Sequence, residues 1–400
     1  MAVVNLSHAQ DRTEFFYETV LLNLNYWLAR VEALPEANIG ALRSDRDTIV
    51  RSITFALELG QPAWPETQRL ITGFALFMER RGQWDTWSRV LEHALEVARP
   101  LRDKPNLAKL SALLGRVLFW RGHFKESVAH YRQAIRLARE GRVPFIEAQA
   151  CSNLGYYYIE QGYWQRAELL CCRALQLFEQ IGSDHGQAHT HNHLGILATW
   201  QGLWPVAQHH LECACAIWQT MGDAYGLMNG YNNLGRLCNE RGQPDQALIH
   251  LENAVEWARQ AAVEPPIASL YINMSIAYRQ KGALDRAEQY CRQAEALCRR
   301  YTNLKELARV QDNLGLIYVA QQQWPAALAC FENALTIWRS FGNAFNQAQT
   351  LVFLADCARR SGQALRAQLW LAQAEALLET LGQAEPYATL RARIKAFATT

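Results

Sequence analysis

Histidine and cysteine are the residues of this chain best suited to chemistry. Six of the eleven histidines fall between positions 185 and 210: His185, His189, His191, His193, His209 and His210. His189 and His193 stand one helical turn apart, a spacing that lets two imidazoles share a zinc ion. No carboxylate or cysteine completes that set at ligand spacing, so the preferred reading is polar lining, and no metal or other cofactor is assigned. No serine, cysteine or aspartate comes with a recognisable base and orienter, so no catalysis is expected. The ten cysteines include no CxxC pair. Cys171, Cys291, Cys298 and Cys330 fall on apolar helical stripes. They read as small core residues of a reduced, cytoplasmic protein rather than as a disulfide framework.

Asparagine is the second set. Asn153, Asn233, Asn273 and Asn313 share one register at a spacing of 40, with His193 between them. One position earlier stand Ser152, Asn192, Asn232 and Asp312. Asparagine is a poor helix former, so its return at one register needs a reason. Its amide offers a donor and an acceptor, which suits an extended peptide backbone presenting the same pair repeatedly. The alternative is that these amides bond to each other or to the adjacent helix and tie neighbouring repeats together.

The elements that position these residues are repeats. Ala94, Ala134, Ala174, Ala214, Ala254, Ala294, Ala334 and Ala374 sit 40 apart without a slip. A second column reads Phe74, Leu114, Leu154, Leu194, Leu234, Met274, Leu314 and Leu354, and the next residue is always Gly, Ala or Ser. A third column of Ser127, Ala167, Ala207, Ala247, Ala287, Ala327 and Ala367 is broken at Trp87. Such a period indicates a solenoid. In the unit around 151–190, a first helix is predicted over Glu147–Glu160, a turn at Gln161-Gly162-Tyr163, and a second helix over Trp164–Ile181. Only Gln321-Gln322 lacks the turn glycine. Pro205, Pro244 and Pro325 open second helices, where a missing N–H costs nothing. Small residues on both helices let the backbones approach, and one hairpin cannot bury its apolar face without stacked neighbours.

These columns resemble the tetratricopeptide repeat, whose pattern reads here Leu154-Gly155, Tyr158, Ala167, Cys171, Ala174, and again Leu314-Gly315, Tyr318, Ala327, Phe331, Ala334. The match covers about four fifths of the chain. It departs in length, 40 residues rather than 34, and Gly-Asp or Gly-Asn turns (Gly222-Asp223, Gly342-Asn343) replace the family's proline. This long variety resembles the sensor arrays of bacterial STAND-type signalling ATPases and transcription regulators, although no GxxxxGK[ST] occurs. The resemblance implies an all-α, right-handed superhelical solenoid whose first helices line a concave groove. It places Gln149, His189, Asn229 and Arg309 on one groove column, Asn153, His193, Asn233, Asn273 and Asn313 on a second, and Asn192 and Asn232 on a third. Tyr156, Arg236, Trp120 and Trp200 lie deeper on the same face.

Four hundred residues, half of them apolar and one fifth charged, with a net charge of +2, describe a soluble globular chain. No run approaches 18 apolar residues, and the N-terminus lacks a signal pattern. Residues 1–70 fall outside the register and read as a helical cap: an amphipathic helix over Asp11–Leu34 with Phe15, Phe16, Val20, Leu24, Trp27 and Leu28 on its apolar side, closed by Pro35, then a helix capped by Ser44 or Asp45 and ended by Gly60. Residues 71–390 hold eight repeats. Residues 391–400 form a C-terminal helix end, with Ile394, Phe397 and Ala398 covering the last repeat. Residues 101–150 carry ten Lys/Arg against four Asp/Glu, and 151–260 carry five against ten, an asymmetry read as a solvated face. Nucleic acid binding is not expected, given the near-neutral total. The expectation is a non-enzymatic scaffold or sensor in signalling or regulation, holding a protein or peptide in the groove. Two alternatives stand beside it: a small, sugar-like inducer stacked on Trp120, Trp200 or Tyr156, and self-association through solenoid ends.

Overall fold

In the computed structural model, residues 2–34, 41–80, 84–261, 267–381 and 387–398 are described. They are helical, with no strand among them. The helices are α1 (Ala2–Glu32), α2 (Arg46–Leu59), α3 (Trp64–Arg80), α4 (Trp84–Leu101), α5 (Lys104–Trp120), α6 (Phe124–Glu140), α7 (Pro144–Glu160), α8 (Trp164–Gln180), α9 (Asp184–Trp200) and α10 (Trp204–Met221). There follow α11 (Ala224–Glu240), α12 (Pro244–Gln260), α13 (Ile267–Gln280), α14 (Leu284–Arg300), α15 (Leu304–Ala320), α16 (Trp324–Ser340), α17 (Ala344–Arg360), α18 (Ala364–Leu381) and α19 (Ala388–Ala398). From α3 to α6 and from α8 to α18 each helix packs on the next, so the chain is an all-α solenoid. It divides into two compact units, 1–150 and 151–400.

The small columns are the contact between the two helices of each hairpin. All eight alanines of the first column are fully buried. A Cβ added at Gly155 would sit 2.5 Å from Cys171 Sγ, and one at Gly235 would sit 2.6 Å from Leu251 Cγ and 3.2 Å from the Ala247 carbonyl. The bulky residue of the second helix therefore lies directly on the glycine backbone of the first. Where the column holds Ser275, its hydroxyl donates to the Ala287 carbonyl at 2.6 Å. In unit 1, Trp87 breaks the alanine column because its fully buried ring fills the site edge-on to Phe74, at 6.2 Å.

Turns within hairpins close in one way. The Tyr163 N–H donates to the Tyr158 carbonyl at 2.9 Å across Gly162, whose φ is 80°, a left-handed position that glycine takes without strain. Gln322 holds the same conformation at φ 61°, so the missing glycine leaves the turn intact. Between hairpins, Gly222 and Gly342 are left-handed, and the next residue caps the following helix. Asp223 accepts from Gly226 N at 3.0 Å, and Asn343 from Asn346 N at 3.0 Å. Stop and start are thus encoded in one dipeptide.

Several expectations are corrected. α1 starts near the N-terminus and runs to Glu32, and Phe15 and Phe16 are exposed while Val20, Leu24, Trp27 and Leu28 are buried. Asp45 is the N-cap residue of α2 but makes no side-chain capping bond. α7 begins three residues before Glu147, because Pro144 opens it, and α8 stops one residue before Ile181. α19 starts at Ala388, with Ile394 buried. Cys330 is half-buried, unlike Cys171, Cys291 and Cys298. Pro35 and the Arg81-Gly82 turn lie outside the described residues, as does the side chain of Phe397. Among the described residues no helix is long and apolar enough to cross a membrane.

Candidate functional site on the inner face of the second unit

Unit 2 joins its beginning to its end. Glu160, the last residue of α7, forms a mostly buried ion pair with Lys305 at the start of α15. Its carbonyl accepts from Asn343 Nδ2 at 2.7 Å. The Gly162 carbonyl accepts from the Tyr387 hydroxyl, and Trp164 stacks on Tyr387 at 5.1 Å and meets Phe345 edge-on at 5.5 Å. The first helices α7, α9, α11, α13 and α15 share the face inside this closure.

At its centre lie Tyr156, Glu160, Trp200, Arg236, Lys305, Glu306 and Arg309. The Lys305 ammonium lies 5.6 Å from the Tyr156 ring centre, and the Arg236 guanidinium 5.3 Å from that of Trp200. Arg309 donates to Glu306 at 2.7 Å and to Asn273 Oδ1 at 3.3 Å. Burial alone would raise the Glu160 carboxyl. Lys305 beside it, with Arg236 and Arg309, holds it below the usual range instead. Burial works against charge on Lys305 too, yet Glu160, Tyr156 and Glu306 push its ammonium above the ordinary value. Burial, then the Glu160 charge, pushes the Tyr156 hydroxyl up to about 12, so it stays a phenol. Arg236 is shifted downward, first by burial and then by Arg309.

The asparagines divide. Asn192, Asn232, Asn273 and Asn313 are buried. Asn233 Nδ2 donates to Asn192 Oδ1 at 2.8 Å, and Asn273 Nδ2 to Asn232 Oδ1 at 2.7 Å. Asn232 in turn donates to Ser269 Oγ at 3.2 Å. Asn313 donates to Ser275 Oγ at 2.9 Å and accepts from Arg279 Nε at 3.2 Å. These amides form a ladder that ties one repeat to the next. Asn229 turns back to its own helix, donating to the Tyr225 carbonyl at 3.1 Å. Asn153 and, in unit 1, Gln149 are half-buried. Asp312, in the same register, accepts from Trp338 Nε1 and Thr350 Oγ1, both at 2.9 Å, and burial lifts its carboxyl to about 7. In unit 1, Trp120 stacks on Trp84 at 6.2 Å.

The histidines separate as well. His193 stacks on Tyr156 at 4.9 Å and bonds Ser152 Oγ through Nδ1 at 3.0 Å, and burial holds its imidazole down at about 4. His189 lies against His185 and, edge-on, against Trp218. The expectation that no carboxylate completes a set is corrected. Asp223, the α11 cap, brings an oxygen within 4.8 Å of ligand atoms of His185 and His189, so three donors that could hold a cation lie together. The pairing is His185 with His189 rather than His189 with His193, because α11 starts beside the first turn of α9. Sequence spacing cannot show this. Glu160, Lys305 and Asn343 were likewise missed, since each gains its role from a partner on another helix, and Glu306 was missed although its partner Arg309 stands three residues on in the same helix. The available signal was the column that Glu160 shares with Trp120 and Trp200.

Tetratricopeptide repeat family models match residues 66–140, 226–300 and 306–380, and a further tetratricopeptide repeat model matches 148–185. No curated protein matches the chain. Among solved structures, the fold is similar to a Rap protein complexed with competence and sporulation factor (TM-score 0.68, 14% identity, 91% of this chain and 98% of that one). It is similar to the Rap conjugation gene regulator of plasmid pLS20 in complex with the Phr* peptide (TM-score 0.60, 13% identity, 91% and 96%). It is also similar to a STAND protein with a tetratricopeptide repeat sensor from Pyrococcus horikoshii (TM-score 0.55, 16% identity, 96% of this chain and 55% of that one). With its repeats, helix pairs and buried small columns in place, the chain belongs to the tetratricopeptide repeat family.

Proposed function

We propose that this chain is a non-enzymatic binding scaffold of signalling or regulation that holds an extended peptide segment of a partner protein on the inner face of unit 2. The observation that carries this reading is the half-buried row of Asn153, Tyr156, His193, Trp200, Asn233, Arg236 and Arg309 on successive first helices. Asn233, His193 and Arg309 also bond to the neighbouring repeat, and the row as a whole combines donors, acceptors and aromatic faces. Two fold neighbours were solved with a factor or peptide bound, which supports the class of ligand. In this reading residues 1–70 cap the array, 71–390 are its eight repeats and 391–400 end it. All ten cysteines are unpaired, which supports a reduced, cytoplasmic setting. A sugar-like ligand is disfavoured by Trp200, whose ring already lies against Arg236 and Phe345, and no observation favours self-association.

The test is retention of an equimolar degenerate decapeptide library on the immobilised full chain. Asn153→Ala with Asn233→Ala removes two backbone-directed amides, each worth about 0.5–1.5 kcal/mol. The double variant should therefore lose on the order of tenfold in affinity, and its thermal midpoint should fall no further than that of Asn233→Ala alone, which frees the buried Asn192 Oδ1. Equal retention by the double variant and the parent chain would show that this face is not the site.

A further inference from the structure

In the first turns of α9, His185 and His189 stand four residues apart on one helix face, with their ring centres 4.5 Å apart. The start of α11 comes beside them and is held there by packing. Gly222 turns the chain in the left-handed region, the Asp223 N–H donates to the Trp218 carbonyl at 2.9 Å, and Asp223 Oδ1 accepts from Gly226 N at 3.0 Å. A Cβ at Gly226 would meet the Trp218 ring at 2.4 Å, so bare glycine backbone lies on that fully buried indole. One donor atom from each of His185, His189 and Asp223 then lies within 4.8 Å of the other two. Capping explains Asp223 but not the imidazoles. No other repeat holds a histidine at the register of His185 or of His189, so hairpin packing does not ask for one.

We propose that His185, His189 and Asp223 form a zinc site that staples α9 to α11 within unit 2. The site is independent of the peptide reading above. Two imidazoles and a carboxylate are a zinc donor set. One carboxylate supplies too few oxygens for Ca2+ or Mg2+, and the set holds no thiolate to select Cu(I). Donor atoms around a tetrahedral zinc stand about 3.3 Å apart. Closing from 4.8 Å therefore asks for at most about 1.5 Å of movement, which side-chain rotation supplies without shifting a helix. His185 is exposed and gives the ion an entry path. Half-buried His189 is backed edge-on by Trp218 at 5.3 Å, and the bond from Gly226 orients the Asp223 carboxylate. Three protein donors leave the fourth position to water, so the site is open rather than closed.

The test uses the full chain, free of any polyhistidine tag and stripped of metal by a chelator. Calorimetric titration with ZnCl2 should show one site per chain, and excess CaCl2 or MgCl2 should not compete. CoCl2 should develop the visible absorption of a low-coordinate Co2+ ion, which ZnCl2 then bleaches. His185→Gln, His189→Gln and Asp223→Asn should each weaken Zn2+ by at least the about 10–100-fold that follows loss of an outer-shell partner. Asparagine keeps the helix cap, so Asp223→Asn separates ligation from folding. The metal-free midpoint of His185→Gln should equal that of the parent, since the ring is exposed. His209→Gln with Cys213→Ser removes a neighbouring pair, 3.7 Å between Sγ and Nε2, and should leave zinc affinity unchanged. Zinc should raise the thermal midpoint of the parent and of that control, but not of the three ligand variants. Absence of zinc binding, affinity unchanged in the three variants, or affinity lost with His209→Gln and Cys213→Ser overturns the site. Equal competition by Ca2+ or Mg2+ overturns the zinc assignment, and a parent midpoint that zinc leaves unmoved overturns the staple.

Discussion

At the scale of the residue, Gly235 shows how two opposed terms are weighed. Alanine in a helix is favoured over glycine by about 1 kcal/mol. Here a methyl group would meet Leu251 Cγ at 2.6 Å and the Ala247 carbonyl at 3.2 Å, and the carbonyl belongs to a packed helix that cannot move alone. Overpacking of this kind costs about 1–3 kcal/mol, so Gly235→Ala should be net destabilising by on the order of 1 kcal/mol. Urea denaturation reads this directly, and a higher midpoint for the variant would refute the close approach. The small column was legible in sequence because its requirement is local and repeats every 40 residues. The fate of each asparagine was not, because one amide can face a ligand or a neighbouring amide, and only the separation of adjacent helices decides between them. Asn192, Asn232, Asn273 and Asn313 are spent on each other and on neighbouring side chains. Asn153 is not.

At the scale of the element, the junction of α7 with α15 depends on one ion pair. Both side chains of Glu160 and Lys305 are largely withdrawn from water. Removing one partner of such a pair leaves an uncompensated buried charge, typically a loss of 3–5 kcal/mol, whereas replacing both by neutral groups of similar size is often close to neutral. Lys305→Met should therefore be strongly destabilising, and Glu160→Gln with Lys305→Met should recover most of the loss. Denaturation midpoints of the two single variants and the double close the cycle. Additive losses would show that the two charges do not interact. The helices themselves were readable from apolar period, prolines and glycines, with errors of one to a few residues at their ends. The pairing was not readable, since 145 residues separate the partners and neither stands out within its own repeat.

At the scale of the whole molecule, burial of imidazoles makes the chain sensitive to acid. Burial lowers His130, His191, His193, His210 and His250, and holds His193 and His210 at about 4. The unfolded chain takes up protons near 6.5, while the folded chain resists until lower pH. Unfolding thus binds protons between those values, and stability falls as pH drops through that window. Glu160 acts in the same direction at lower pH, since its depressed carboxyl stabilises the fold only while ionised. Asp312, lifted to about 7, opposes them by losing stability as pH rises from about 4 to 7, but it is one group against five. For His193 the fall from 6.5 to about 4 corresponds to about 3 kcal/mol before solvent screening reduces it. The thermal midpoint should fall between pH 6.5 and 4.5, and His193→Gln should flatten the slope. A midpoint that holds steady or rises on acidification would contradict the burial of these rings.

The amino-acid sequence by itself determined the repeat, its helix pairs, the turn chemistry and the packing columns. Each of these is a demand that neighbouring residues make on one another, and the period of 40 restates it in every unit. The tertiary structure alone decided which polar residues remain available. The stacking of hairpins sets the distances between first helices, and the closure of unit 2 brings Lys305 and Asn343 to the end of α7. Those long-range contacts silence some amides by pairing them. They also bring Asp223 beside His185 and His189, because α11 starts beside the first turn of α9.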